Sequence, residues 1–464
     1  MIDFDLLRVP LFGRLLHWRW GRLVFQFLLG LVLLLIIYDG FTGPQLAPAN
    51  NATVLAWIHY RGIVILLLFL AGNFFCMGCP FTLPRTLARR LSLRGRRWPT
   101  VLRNKWTAIG SIFLIFWLYE WLDLWASPLL TAWVAIAYIL ASFALEAFFS
   151  ESAFCKYVCP LGTFNFVYSL ASPLQIQTRD PQVCRTCVGK ECVRGSAKTL
   201  GCGTELFVPM IRTNMDCTFC LDCARACPYD NVALATRKRD IDLTRQPSPA
   251  RWDRAFLLIG LGFSGLTNAL GMVPPVYAMQ AWLGNTLGLQ SEAARLLLIL
   301  GIGSLLIPAG LLFLAARISA RLSGSMDFKG FADRYAGGFV PIGMAIWMAH
   351  YGFHLAIGGA AIVPVFQSFL LDHGITLLGS SPNWALSFLL PQQWIFPIQV
   401  FTIFVGFASS LFILSKIALR RRPIPQEALQ ELIPWALLIV LMAIAALSLF
   451  NLPMEMRGTR LMGV

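Results

Sequence analysis

Apolar runs of membrane-crossing length alternate with short polar stretches through most of this chain, at roughly residues 23–39, 53–75, 106–125, 129–150, 255–273, 296–316, 338–362, 394–415 and 433–450. The longest polar break falls at about 174–252. The pattern predicts an all-α polytopic membrane protein of about nine transmembrane helices, with one polar insert of mixed α+β character. It also predicts three segments: residues 1–173 as a four-helix membrane anchor, 174–252 as the insert, and 253–464 as a second membrane module of about five helices. Ahead of the first run, Leu6 to Trp20 reads as an interfacial helix.

Composition agrees with the pattern. The 464 residues are 57% hydrophobic and only 13% charged, too apolar for a soluble domain without large exposed patches. In a soluble protein the net charge of +15 would suggest nucleic acid. Here the basic residues crowd between the apolar runs, where they act as topology signals and headgroup contacts, so no nucleic-acid partner is expected. One set of loops carries Arg85, Arg89, Arg90, Arg94, Arg96, Arg97, Arg103 and Lys105, then Arg317, Arg321, Lys329 and Arg334, then Lys416 and Arg420 to Arg422. The alternate loops, at 40–52, 126–128, 274–294 and 363–393, contain no Lys or Arg. Arg295, Arg457 and Arg460 depart from that alternation. The positive-inside rule then puts the N-terminus in the cytoplasm and the C-terminus outside, in a bacterial cytoplasmic (inner) membrane. Met1 to Gly21 carries Arg8, Arg14 and Arg19 without a small-residue cleavage site, so no cleavable signal peptide is expected.

All twelve cysteines lie between Cys76 and Cys227, and this topology puts them all on the cytoplasmic side. That compartment keeps thiols reduced, which favours metal ligation over disulfides. The last four, Cys217, Cys220, Cys223 and Cys227-Pro228, have the C-x2-C-x2-C-x3-C-P spacing with which bacterial ferredoxins hold cubane clusters, the fourth cysteine serving the other cluster. The expected sets are therefore Cys184, Cys187, Cys192 and Cys227 for one [4Fe-4S] cluster, and Cys202, Cys217, Cys220 and Cys223 for another. All-thiolate zinc sites are the alternative, though three cysteines at two-residue intervals crowd a tetrahedral ion. Cys76, Cys79, Cys155 and Cys159 remain, in two hairpins that each close on Cys-Pro and form a weak internal repeat. Four thiols suit a third cluster shared between the hairpins; a redox-active thiol relay, a transient metal-handling site and helix-breaking prolines are the competing readings.

Ionisable groups inside apolar runs are costly and so are functional candidates. His59 and Arg61 fall in the second run at the depth of Glu120 and Asp123 in the third. They suit an ion pair, or a quinol or haem pocket in which Arg61 steadies an anion and His59 or Glu120 accepts a proton. His350 and His354, four apart, share a helix face and cannot ligate one haem iron from opposite sides. They suit two haems, a smaller metal, a quinone, or hydrogen bonds between closely packed helices. The long loop from Val363 to Gln393, with Asp372 and His373, is a candidate surface for an extracytoplasmic partner.

The two Cys-Pro hairpins followed by eight insert cysteines resemble the NapH/NosR group of membrane-bound polyferredoxins, which includes CcoG-type proteins, over about residues 20–250. The first pair departs from that group, with two residues between Cys76 and Cys79 where the group usually has three. The resemblance implies a helical anchor carrying a cytoplasmic two-cluster ferredoxin. It also implies electron transfer between the quinone pool and other redox subunits, such as an extracytoplasmic reductase or cytochrome. A quinol-linked oxidoreductase subunit is the first expectation, and a copper reductase or assembly factor for a respiratory metalloenzyme is the rival. A transporter with a regulatory ferredoxin is disfavoured, because few ionisable groups fall in the apolar runs.

Overall fold

A computed structural model describes residues 4–18, 20–84, 87, 96–196, 199–246 and 249–453. Arg19, Arg85, Arg89, Arg90, Arg94, Arg457 and Arg460 lie outside the described residues. Each of the nine apolar runs lies in a helix: α1 (Gly21–Thr42), α2 (Asn51–Leu70), α3 (Trp106–Trp121), α4 (Pro128–Phe148), α5 (Trp252–Leu270) with α6 (Pro275–Leu287), α7 (Glu292–Leu322), α8 (Phe328–Gly358), α9 (Ile395–Arg421) and α10 (Pro425–Phe450). Among the described residues seven of these are long and apolar enough to cross a membrane, or eight if α5 and α6 form one bent span, against an expectation of about nine. The difference has two causes. Helix α3 is only 16 residues, about 24 Å of rise, and ends where Asp123 turns into the left-handed region. Helices α5 and α6 meet at 86°, where Gly271, Pro274 and Pro275 break the run. The segment before α1 forms a short turn at Leu6–Arg8 and a helix at Phe12–His17 rather than one continuous helix.

The chain forms two compact units. The first gathers residues 1–34, 66–111 and 135–242 and holds all twelve cysteines; the second gathers 35–65, 112–134 and 243–464. Helices α1 to α4 contribute residues to both.

In the first unit the sheet has two strands, β1 (Leu174–Thr178) and β2 (Val232–Thr236), paired antiparallel from Leu174 opposite Thr236 to Thr178 opposite Val232. The strands bound the cysteine-rich loops, so their pairing fastens the two ends of that stretch together. Phe4 and Asp5 cover the far edge of β2: Thr236 donates to the Phe4 carbonyl at 3.0 Å and Asp5 bridges Ala235. The core beneath is apolar and includes Leu7, Leu16, Met77, Ile176, Val208, Phe219, Leu221 and Leu234. Just after β2, Arg237 and Asp242 form an ion pair at 2.8 Å with both side chains about 1% exposed. Arg237 also donates to the carbonyls of Ser169, Leu170 and Ser172, while Asp242 accepts from the Asn214 amide and Thr213 hydroxyl. This clasp ties the exit from the cysteine-rich stretch to the segment that enters it.

In the second unit α8 is the central helix, almost wholly buried and packed by α5, α9 and α10. Small residues set the spacing: a Cβ on Gly406 would lie 2.3 Å from that of Ala345, so α9 sits directly on α8. Glu431, fully buried on α10, is held by the Tyr335 hydroxyl at 2.8 Å and by Arg421 at 3.1 Å.

Arg237→Met strands Asp242 as an uncompensated buried carboxylate and should cost on the order of 3–5 kcal/mol. The expected result is a lower thermal midpoint for the detergent-solubilised protein, with Asp242→Asn, which leaves the Arg237 guanidinium buried among neutral carbonyls, also destabilised, and the double variant Arg237→Met/Asp242→Leu losing less than the sum of the two.

Candidate cysteine centres

Pairing of β1 with β2 decides which sulfurs meet. Thr178 faces Val232, so the chain leaving β1 and the chain entering β2 start side by side, and Cys184 and Cys227 come together across 42 intervening positions of sequence. Asn231 bridges the two: its side-chain amide donates to the Cys184 Sγ at 3.2 Å and its backbone N–H to the Cys227 Sγ at 3.4 Å. Cys184, Cys187, Cys192 and Cys227 line one cavity with Val208 and Tyr229. The C-x2-C-x4-C run and the distant Cys227 thus form one set.

The second set is Cys202, Cys217, Cys220 and Cys223, which lie within mutual electrostatic reach. Their loop is unusual. Asp216, Phe219 and Leu221 all hold positive φ, at 67°, 51° and 59°, a region that costs bulky side chains about 1 kcal/mol or more each. That backbone winds the sulfurs inward around a short helix at Asp222–Ala226. Such strain is retained where the surroundings over-determine it, and it marks binding loops. The two sets are backbone neighbours, for the Cys202 N–H donates to the Cys192 carbonyl at 2.9 Å.

The membrane-flanking hairpins repeat one local design. Gly72, at φ +87°, turns the chain out of α2 into a short helix at Phe74–Gly78, after which Cys79 is extended and Pro80 follows. In the second copy a π-helical turn at Phe154–Val158 precedes an extended Cys159 and Pro160. Proline imposes the extended residue before it and starts the next helix after it. The Cys159 sulfur caps that helix, accepting from the Gly162 N–H at 3.2 Å. Asn165 on the same helix donates to the Cys76 Sγ at 3.3 Å, so one hairpin reaches the other. Cys76, Cys79 and Cys159 lie within mutual electrostatic reach, and Cys155 shares the charge of Arg22 with Cys79. Asn73, fully buried, donates to the Cys217 carbonyl at 3.0 Å and so joins this third set to the second.

Burial dominates the acidity of these thiols. It pushes Cys76 up to about 11 and Cys159 up to about 12, and it raises Cys79, Cys184, Cys192, Cys217, Cys220 and Cys223. Buried thiols of this kind are poor nucleophiles at neutral pH; as thiolates they need a compensating cation. Among the described residues no three His, Cys, Asp or Glu side chains stand close enough to hold a single metal ion.

In the second unit the polar residues of α2 and α3 share one site. Arg61 follows a π-helical turn at Val54–Tyr60 and lies over the rings of Tyr119, Trp57 and Tyr351, at 4.1, 4.5 and 5.0 Å, with Glu120 within electrostatic reach. Asn268 donates to Glu120 at 3.2 Å. The His350 and His354 rings lie tilted at 42° with centroids 5.2 Å apart, and His350 Nε2 lies 3.2 Å from the Met272 sulfur while its buried Nδ1 finds no hydrogen-bond partner among the described residues. His59 braces helices instead, with Nδ1 and Nε2 at 3.0 and 2.7 Å from the Val54 and Gly359 carbonyls, which leaves neither ring nitrogen for a ligand. His373 meets Tyr38 at 2.9 Å.

Sequence reasoning missed the residues that surround the sulfurs and the guanidinium: Arg22, Asn73, Asn165 and Asn231 at the cysteines, and Trp57, Tyr119 and Tyr351 around Arg61. Their one visible signal is polarity out of place, Arg22 inside the first turn of an apolar helix above all.

The chain is similar to two uncharacterized proteins of Methanocaldococcus jannaschii. One is 27% identical over 184 residues, which is 38% of this chain and 69% of the relative; the other is 25% identical over 192 residues, 37% of this chain and 76% of the relative. It is also similar to an Escherichia coli protein named "Putative electron transport protein YccM", at 25% identity over 126 residues, 27% of this chain and a third of the other. No protein-family model and no solved structure matches the chain. The chain is thus a multi-pass membrane protein with a distant likeness to a protein named "Putative electron transport protein YccM".

Proposed function

We propose that this protein is a membrane-bound iron-sulfur electron carrier. The reading is supported by the grouping of the cysteines: Cys184, Cys187, Cys192 and Cys227 line one cavity, Cys202, Cys217, Cys220 and Cys223 lie within mutual electrostatic reach and meet that first group through the Cys192–Cys202 backbone bond, and Asn73 ties the hairpin of Cys76 and Cys79 to Cys217. The donor chemistry fits cubane clusters: thiolates only, four to a set, with N–H donors aimed at Cys76, Cys159, Cys184 and Cys227. Cys184, Cys187, Cys192 and Cys227 would hold one [4Fe-4S] cluster, Cys202, Cys217, Cys220 and Cys223 a second, and Cys76, Cys79, Cys155 and Cys159 a third. Bound there, such clusters supply one-electron redox capacity.

The chain's own residues do the rest. Val208, Phe219 and Leu221 keep water from the sulfurs, and the asparagine and backbone donors favour the more negative, reduced state. The reading places the sets on the cytoplasmic side, in line with the basic loops, with α3 as a ninth, short span. In the second unit the pair His350 and His354, beside Arg61 and Tyr351, suits a quinone better than a haem, since the two rings share one helix face. There Arg61 would bind the anionic oxygen of a reduced quinone and Glu120 would take its proton. The outer loop from Val363 to Gln393 would receive another redox subunit.

Iron and acid-labile sulfide analysis tests the first claim: about twelve irons per chain are expected for three clusters, while about eight would leave the hairpin thiols free and zinc in place of iron would end the reading. Cys227→Ser should remove about four irons without disturbing the rest, visible as loss of one EPR signal. Arg61→Leu should lower quinol-dependent cluster reduction tenfold or more while leaving dithionite reduction unchanged; equal rates in the two proteins would remove the quinone site from Arg61.

A further inference from the structure

The first turn of a helix is where a positive side chain is least welcome, because the backbone dipole already presents positive charge there. Yet Arg22 is the second residue of α1, and its side chain is only 11% exposed. Its guanidinium is fully used. Nη1 donates to the Asp222 Oδ2 at 2.8 Å, Nη2 to the Thr82 hydroxyl at 2.9 Å, and Nε to the Met77 carbonyl at 3.2 Å. Gln26, one turn on, donates to the same Thr82 hydroxyl and to the Cys79 carbonyl.

These partners belong to two different cysteine sets. Met77, Cys79 and Thr82 are in the first hairpin; Asp222 lies between Cys220 and Cys223. The Arg22 charge is within electrostatic reach of Cys220 on one side and of Cys155 and Cys79 on the other. Asp222 is shared with Arg225, which also donates to the Cys220 carbonyl. Merely closing the first unit did not require a charge here, since Asn73 already joins the same two segments without one.

We infer that Arg22 is a positioning residue that sets and matches the reduction potentials of the two cysteine centres it separates. This rests on the proposed clusters. Reduction adds one negative charge to a cluster, and a fixed cation in a poorly hydrated site stabilises the added charge. A cation between two centres favours the electron on each, so the electron crosses between them without leaving a favourable field. Cys184, Cys187, Cys192 and Cys227 are not among the residues that Arg22 contacts and should feel it least.

The test is an EPR-monitored redox titration of the full-length, cluster-loaded protein in wild-type, Arg22→Lys and Arg22→Gln forms, with iron counted on each sample. In Arg22→Gln two of the cluster signals should become harder to reduce, by about tenfold in the reduced-to-oxidised ratio at fixed potential, which is about 59 mV for one electron. The third signal should stay, and Arg22→Lys should keep all three near wild type. Unchanged potentials in an iron-replete Arg22→Gln protein overturn the inference. If that variant loses iron, Asp222→Asn decides: it leaves Arg22 less neutralised, so both centres that Arg22 adjoins must become easier to reduce while the third stays, and no movement at either overturns the inference. Wild-type protein without iron overturns the cluster reading itself, a result separable from both.

Discussion

Sulfur ligands are cheap to bury as neutral thiols and expensive to bury as thiolates, and the architecture of the first unit follows from that asymmetry. Of the twelve thiols drawn from residues 76 to 227 six are buried, several of them among Leu, Val and Phe, and burial raises eight. A few amide donors and the Arg22 guanidinium stand beside the sulfurs to favour their anions. A site of this kind is stable empty of charge or filled by a multivalent cationic centre, and it has little use for a half-ionised state. The strained backbone at Asp216, Phe219 and Leu221 points the same way, since the winding of that loop turns its sulfurs toward each other rather than toward solvent.

Much of this was legible in the sequence, and what was legible was local. Cysteine spacing and the prolines after Cys79, Cys159 and Cys227 mark the turns directly, because proline fixes the residue before it. Hydrophobic length located the helices. Length alone does not decide which of them span: α3 stops early, and the Gly271 to Pro275 break turns one apolar run into two helices at 86°. The partners around the sulfurs could not be read at all. Arg22 and Asp222 are 200 residues apart, and no periodicity links them.

The second unit shows the same division. Arg61 and Glu120 stand out in sequence as charges in apolar runs. The aromatic cage of Trp57, Tyr119 and Tyr351 does not, because aromatic residues are ordinary in membrane helices and only packing reveals which rings meet a cation. His59 reads differently in sequence and in structure. Its position suggested chemistry, while its two carbonyl contacts make it a strut between α2 and the end of α8.

The covering of β2 by Phe4 and Asp5 has a bearing on biosynthesis. Asp5 pairs with Arg179 and accepts from the Leu234 amide, groups synthesised some 170 to 230 residues after it. During translation the opening segment must therefore wait, unpartnered, while the first helices insert and the cysteine loops emerge. Such late, long-range closure is slow to form. It leaves a window in which the cysteine loops stay open at one end until Phe4 and Asp5 settle on β2.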